Sequence, residues 1–388
     1  EGMDWVLKMI WDLYQELNGN TPKDEMKLSV KIDGAPAIFA WSTFPGLPDN
    51  GIAMKGLFAK TPKVFTNDDD VDANPQFEGK EDLKYKLKTF IKHLPEINVP
   101  EGEIWQGDFI FDNKSLSETE IDGEKFIGFH PNAIYYVVPK DSDLGQDIKK
   151  AEVGIAWHTR YTGNNLESIS ANYNTSSDEL TKTESMFMTD PYIKSFAGIV
   201  TFTEEESLHV EDTMGKLLDI SKNFKTGDVY KNILESKDII SYFTIFQNSL
   251  VRANTQMTNP DGFFGEFVEF LQNKASVAVE KMKSPAGKEK KELYFAEMID
   301  RVQQNKDEWY LVIHSIMEIT KLKNMFVKKL SNLGEFQTYL KMKEGGLRGT
   351  NQEGFAVSDI DGNVIKLVDR NEFSWSNFSP EVQKGWEH

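Results

Sequence analysis

Residues 28–41, LSVKIDGAPAIFAW, decide how the rest of the chain is read. Leu28, Val30 and Ile32 fall on one face of a strand by its two-residue period, and Ser29, Lys31 and Asp33 fall on the other. Asp33-Gly34 followed by Pro36 is turn chemistry, and residues 37–41 form an apolar return strand. The spacing therefore predicts a β-hairpin. A lysine and an aspartate would project from one side of its first strand, beside a glycine that lets a ligand approach the backbone. Covalent nucleotidyl transfer needs that layout: an amine nucleophile with polar company and room for a phosphate.

The 388 residues suffice for two domains, or for one domain with a large insertion. Hydrophobic content of 39%, with 26 phenylalanines and 8 tryptophans, supplies a packed core. There is no cysteine, which excludes disulfides, thiolate metal sites and cysteine nucleophiles and is compatible with a reducing cytoplasm. No apolar run reaches membrane-spanning length and no basic-then-apolar leader is seen, so no membrane partner is expected. The net charge of −18, from 44 basic and 62 acidic residues, argues against a broad basic nucleic-acid surface. It leaves room for a local basic cleft and for a nucleotide–Mg²⁺ site, where carboxylates hold the metal.

Outward from the key stretch, Val6, Met9, Ile10, Leu13, Tyr14 and Leu17 make a helical stripe closed by Asn18-Gly19. Residues 52–60, IAMKGLFAK, read as a third strand carrying Lys55 and Lys60. Residues 66–76 contain NDDDVDANP, which lacks the glutamate of a calcium loop and reads as a solvated loop. Leu83, Leu87, Phe90, Ile91 and Leu94 mark an amphipathic helix. The strand EIWQGDFIF, residues 103–111, sets Gln106, Asp108 and Ile110 on one face. An aspartate in so apolar a strand is expected to be paired or to bind something.

Two short strands follow over 125–130 and 132–138, with Tyr135 and Tyr136 on opposite faces of the second. A strand over 154–163 carries His158 and Arg160, and a lone strand histidine is more often a hydrogen-bonded structural residue than a catalyst. Residues 164–190 read as loop. From about 204 to 347 helical stripes dominate, broken at Pro260-Asp261-Gly262 and Ser284-Pro285-Ala286-Gly287. β texture returns over 351–370 as a hairpin with Glu353 at its start and Lys366 on its second strand.

Three patches now stand in order: Lys31-Ile32-Asp33-Gly34, then Gly107-Asp108-Phe109, then Glu353-Gly354-Phe355-Ala356-Val357 with Val364-Ile365-Lys366-Leu367. This set resembles the covalent nucleotidyltransferase superfamily of ATP-dependent DNA ligases, RNA ligases and messenger-RNA capping enzymes. The string KIDGAPAIF is also similar to uncharacterised bacteriophage proteins of ligase-like type. The resemblance covers roughly residues 28–165 and 350–370 and leaves the helical block out.

What the resemblance implies is specific. The fold would be α+β, a nucleotidyltransferase core of largely antiparallel sheets interrupted by an all-α insertion. Residues 1–203 and 348–388 would form the core, and 204–347 the insertion. Lys31 would attack the α-phosphate of ATP, with GTP as the alternative, and carry a lysyl-AMP. Asp33 would orient the site, and Gly34 would admit the nucleotide. Asp108 and Glu353 would hold Mg²⁺, Tyr135 or Tyr136 would stack on the base, and Lys366 and Lys55 would contact phosphate. The acceptor would be an RNA or DNA end in the cytoplasm, that of the host if the chain is phage-encoded.

The pattern also departs from the family. Ala35 and Pro36 stand where an arginine often follows the Asp-Gly, only one lysine is present in the last motif, and too little chain follows it for an OB-fold. AMP or GMP transfer to a protein or small molecule, and a non-catalytic nucleotide-binding scaffold, are the alternatives to ligation.

Overall fold

The computed structural model describes the chain apart from residues 1, 21–25, 174, 191, 194–197, 199, 228–232, 234, 256, 258, 332, 360 and 388. The expected core and helical block thus each include a few residues outside the description. The chain opens with α1 (Gly2–Leu17), β1 (Lys27–Lys31), β2 (Ala37–Trp41), β3 (Gly51–Ala53) and β4 (Val64–Phe65). After α2 (Asp68–Asp72) and α3 (Glu81–His93) come β5 (Glu103–Asp112), β6 (Ser117–Ile121), β7 (Glu124–Phe129) and β8 (Tyr135–Pro139). Next are α4 (Asp143–Lys150), β9 (Val153–Thr162), β10 (Ser170–Asn172), β11 (Met186–Thr189) and β12 (Tyr192–Ile193). Five helices follow: α5 (Glu204–Thr226), α6 (Lys237–Arg252), α7 (Pro260–Glu280), α8 (Pro285–Gln304) and α9 (Lys306–Leu330). The last elements are β13 (Gln337–Lys341), β14 (Leu347–Gly349), β15 (Gly354–Ser358), β16 (Val364–Leu367) and α10 (Arg370–Phe378).

The fold is α+β, with strands in three sheets. The first runs β12-β1-β15-β16 and joins the two ends of the chain. The second runs β10-β9-β5-β2-β3-β4, with β11 parallel to β9, and the third runs β14-β13-β8-β7-β6. The other pairings are antiparallel. The predicted hairpin over 28–41 is corrected here. β1 and β2 do not pair: β1 pairs β15, and β2 pairs β3 and β5. Residues 32–36 are therefore a crossover between two sheets. Turn chemistry reverses a chain equally well in either case, and here longer-range partners capture both strands.

Alternation explains the first sheet. Leu28, Val30, Phe355, Val357, Ile365 and Leu367 turn to one face and pack with Leu13 and Leu17 of α1, Val210 and Leu217 of α5, and Leu322, Phe326 and Leu330 of α9. Each such fully buried aliphatic or aromatic side chain contributes about 1.5–3 kcal/mol of transfer free energy. Helix α5 starts on a reciprocal capping box between Thr203 and Glu206, which satisfies two backbone donors. Helix α9 spans two cores. Its Leu322–Leu330 end belongs to the sheet, while Trp309, Ile313 and Met317 pack with Phe243, Phe267 and Phe295 of α6, α7 and α8.

Several expected boundaries move. The helical texture stops at Leu330, because Thr338 and Leu340 alternate inward on β13, which pairs β8. The strand expected over 52–60 ends at Ala53, and Lys55–Phe58 is a 3₁₀ turn. The aspartate-rich stretch is a short helix, α2, capped by the Asn67 side chain. The segment read as loop over 164–190 contributes β10 and β11. No helix among the described residues is long and apolar enough to cross a membrane.

Gly34 occupies the tightest part of the crossover. A Cβ there would lie 2.6 Å from Asp108 Cβ and 2.9 Å from the Phe109 carbonyl oxygen. Ala35 donates its amide to that same carbonyl at 2.9 Å. Gly34→Ala should therefore lower stability by about 1–3 kcal/mol through overpacking. Gly215→Ala, in open space on α5, should raise it by about 0.4–1 kcal/mol. Urea unfolding of the two variants checks the contrast.

Candidate active site

The register between β1 and β15 sets Lys31 opposite Gly354 and Ser29 opposite Ala356, and β16 sets Lys366 opposite Ala356. By the two-residue period Ser29, Lys31, Ala356, Ser358 and Lys366 share the face of the first sheet turned away from α1. Gln106 and Asp108 of β5, with His158, Thr159 and Tyr161 of β9, form the opposing wall. Between the walls lies a cleft of about 530 Å³, a size usual for small-molecule sites.

At one end of the cleft Lys31 Nζ donates to Glu353 Oε1 in an ion pair that links positions 322 residues apart. The Glu353 side chain is 11% exposed and that of Lys31 is 26% exposed, so the amine stays reachable while its partner is covered. Burial pushes the Glu353 carboxyl up from its ordinary value, against the pull of Lys31, and Asp33 and Asp108 push the same way. Gly354 has φ +156, and a Cβ there would meet the Leu367 carbonyl oxygen at 2.4 Å, so this strand needs a glycine directly after the glutamate.

Asp33 faces inward. Asn132 donates to its Oδ1 at 2.6 Å and the Ala133 amide to its Oδ2 at 3.0 Å. The Asp33 amide itself donates to the Tyr136 hydroxyl at 2.6 Å. Burial raises its carboxyl, with the Asn132 and Ala133 bonds opposing, and burial drives the Tyr136 hydroxyl well above its usual range. Asp33 thus clamps the crossover to the start of β8 and orients Lys31 from behind.

Asp108 projects into the cleft, with its Oδ2 3.5 Å from His158 Nε2, while His158 Nδ1 lies 2.7 Å from Thr159 Oγ1. Tyr161 donates its hydroxyl to Gln106 Oε1 at 2.6 Å. The structure therefore gathers Lys31, Glu353, Asp108 and Lys366, with Asp33 and Gly34 just behind them.

It does not bring Tyr135 or Lys55 to them. Tyr135 is buried on the other face of the third sheet, its hydroxyl 2.9 Å from Ser117 Oγ and its ring under Lys341 Nζ at 4.0 Å. Stacking on a base in the cleft is closed to it. Lys55 is exposed on the 3₁₀ turn after β3 and does not line the cleft. His158, Thr159 and Tyr161 were hidden from alternation by a bulge. Between β5 and β9 the pairing skips from Gln106–Thr159 to Gly107–Trp157 and leaves His158 as the extra residue.

A larger cavity, of about 770 Å³, lies behind β1 between Val30, Ile32, Phe336, Gln352 and the Met186–Thr189 strand. It contains none of Lys31, Asp108, Glu353 or Lys366.

Among the described residues no group of three His, Asp or Glu side chains is arranged to hold a metal ion by itself. Two carboxylates, Asp108 and Glu353, suit Mg²⁺, which commonly takes one or two protein carboxylates and completes its shell with water and substrate phosphate.

Comparison with known proteins adds a family. A family of unknown function, DUF6267, matches residues 1–383. The chain belongs to that family. No curated protein and no solved structure matches it. The match runs through both chain ends and the helical block, so the β1–β15 pairing and the insertion lie within the family's span.

The Lys31–Glu353 pair has a pH signature. Because Glu353 is held above its ordinary pKa when folded, it lowers stability as pH rises from about 4.5 through the folded value. Lys31→Ala removes the opposing charge and enlarges that loss. The variant should match the wild type near pH 4.5 and fall about 1–3 kcal/mol below it near pH 7.5, read by urea unfolding at both values.

Proposed function

We propose that the protein is an ATP-dependent nucleotidyltransferase that forms a lysyl-AMP on Lys31 and passes AMP to an acceptor, an RNA or DNA end. The observation that carries this reading is the convergence of Lys31, Asp108 and Lys366 on one cleft from positions far apart in the chain, with Glu353 paired to Lys31 at its end. A surface ion pair would not need a second wall bearing Asp108, nor a second lysine on the same sheet face.

In the proposed step the neutral amine of Lys31 attacks the α-phosphorus of ATP. A P–N bond forms, the bond to the β-phosphate oxygen breaks, and pyrophosphate leaves. Glu353, hydrogen-bonded to the amine, is the base placed to take the proton that the ammonium sheds, and the second proton, lost from nitrogen as the P–N bond forms, leaves with the pyrophosphate. Lys366, across the sheet from Ser29, adds positive charge on the phosphate side. Asp33 keeps the strand end rigid so that the amine enters the cleft at a set angle. Asp108 and Glu353 are the residues that would hold Mg²⁺, whose part is to neutralise charge developing on the transferring group. GTP is the alternative donor.

Incubation with α-labelled ATP and Mg²⁺, followed by denaturing electrophoresis, tests the reading. Lys31→Arg retains the charge but removes a readily deprotonated amine, and labelling should fall by at least about a hundredfold, into the background. Survival of the label would remove Lys31 from the mechanism.

Glu353→Ala and Asp108→Asn should each slow labelling and shift its Mg²⁺ dependence to higher concentration, by about tenfold. Wild-type Mg²⁺ titration curves in both variants would leave these carboxylates without a metal role.

A further inference from the structure

The helical block carries its positive charge unevenly. Six lysines elsewhere in it are paired with carboxylates: Lys216 with Asp212, Lys222 with Asp219, Lys225 with Asp4, Lys306 with Asp261, Lys321 with Glu318 and Lys329 with Glu206. Lys323 is largely buried, and burial lowers its pKa. The lysines over 321–329 are thus mostly consumed within the fold.

The turn joining α7 to α8 is different. Residues 281–291, KMKSPAGKEKK, hold five lysines against one glutamate, in a chain whose net charge is −18. Lys281, Lys283, Lys288 and Lys290 are exposed, and none has an ion-pair or hydrogen-bond partner among the described residues. Lys291 rests over the Tyr294 ring at 5.2 Å.

The electrostatics of α8 add to this. The first turns of α5, α6, α7 and α9 contain acidic residues, which offset the positive end of the helix dipole. The first turn of α8 contains none, and Lys288 stands there instead. Like charge at this end lowers helix stability, and no acidic residue in that first turn offsets it.

We propose that the α7–α8 tip is a docking surface for the phosphodiester backbone of a nucleic-acid strand. Exposed lysines on flexible stems act as point charges for successive phosphates and release counterions without reading bases. A grip of this kind would hold the nucleic-acid acceptor of the proposed transfer. In that respect the inference rests on the nucleotidyl-transfer reading, but its readout is independent of Lys31.

The test is fluorescence anisotropy of the full chain with labelled single strands of about 20 nucleotides, RNA and DNA in separate arms, from about 50 to about 200 mM salt. Lys281→Glu, Lys283→Glu, Lys288→Glu and Lys290→Glu are combined in one variant, and the same four positions are changed to Arg in another. Charge reversal should weaken binding about tenfold or more and flatten the logarithmic salt slope by about 2–3, while the Arg variant keeps both. Labelling of Lys31 should be unchanged in each, which also shows that the variants fold. Unchanged affinity on charge reversal would overturn the proposal. So would tighter binding, through these lysines, to phosphatidylserine vesicles than to either strand. If charge reversal abolishes strand binding while wild-type Lys31 takes no label, the surface stands and the enzyme reading falls.

Discussion

The ion pair between Lys31 and Glu353 holds together more than two side chains. Glu353 is almost fully covered, and an uncompensated buried carboxylate is costly, so the pair forms only where β1 and β15 meet in one register. That register is also what sends Leu28, Val30, Phe355 and Val357 into the core beneath α1, α5 and α9. A slip of β1 by one residue would expose Leu28 and Val30 and bury Lys31 and Ser29. Apolar burial and the charge pair therefore specify the same alignment, and the ends of the chain are tied across the insertion by both at once.

From this alignment the charge pattern of the cleft follows. Three carboxylates, Asp33, Asp108 and Glu353, stand near Lys31, and each is held in a different way. Asp33 is locked by Asn132 and Ala133, Glu353 is paired with Lys31, and Asp108 faces the cleft beside His158. Asp108 alone is free to turn to a ligand at small cost, and Glu353 would do so only while Lys31 stays beside it. This division separates a group that positions the strand from groups that can meet charge arriving with a substrate.

Much of this was legible in the sequence because period-two alternation states which face a residue occupies without stating its neighbour. Lys31 opposite the Leu28–Val30 face, Gln106 with Asp108, and the opposed Tyr135 and Tyr136 all follow from alternation alone. Partner choice does not. Asp33-Gly34 with Pro36 describes a reversal and is silent on whether the strands it joins pair, so a crossover was read as a hairpin. Tyr135 and Tyr136 are both buried, and only the third sheet's placement decides that Tyr136 meets Asp33 while Tyr135 turns to Ser117 and Lys341. The bulge that exposes His158 leaves no trace in composition. Lysine counts likewise could not separate Lys329 from the unpaired lysines at the α7–α8 tip, because its partner, Glu206, lies on a different helix, α5.

The central claim is that Lys31 is a covalent nucleophile, and peptide mapping by mass spectrometry tests it most directly. Protein incubated with ATP and Mg²⁺ is digested under neutral conditions, which preserve a P–N bond, and the peptide spanning Lys31 is read for added mass. The account predicts a single adenylyl group on that peptide, at Lys31, lost on brief acid treatment. An unmodified Lys31, or adenylylation confined to another residue, would contradict it.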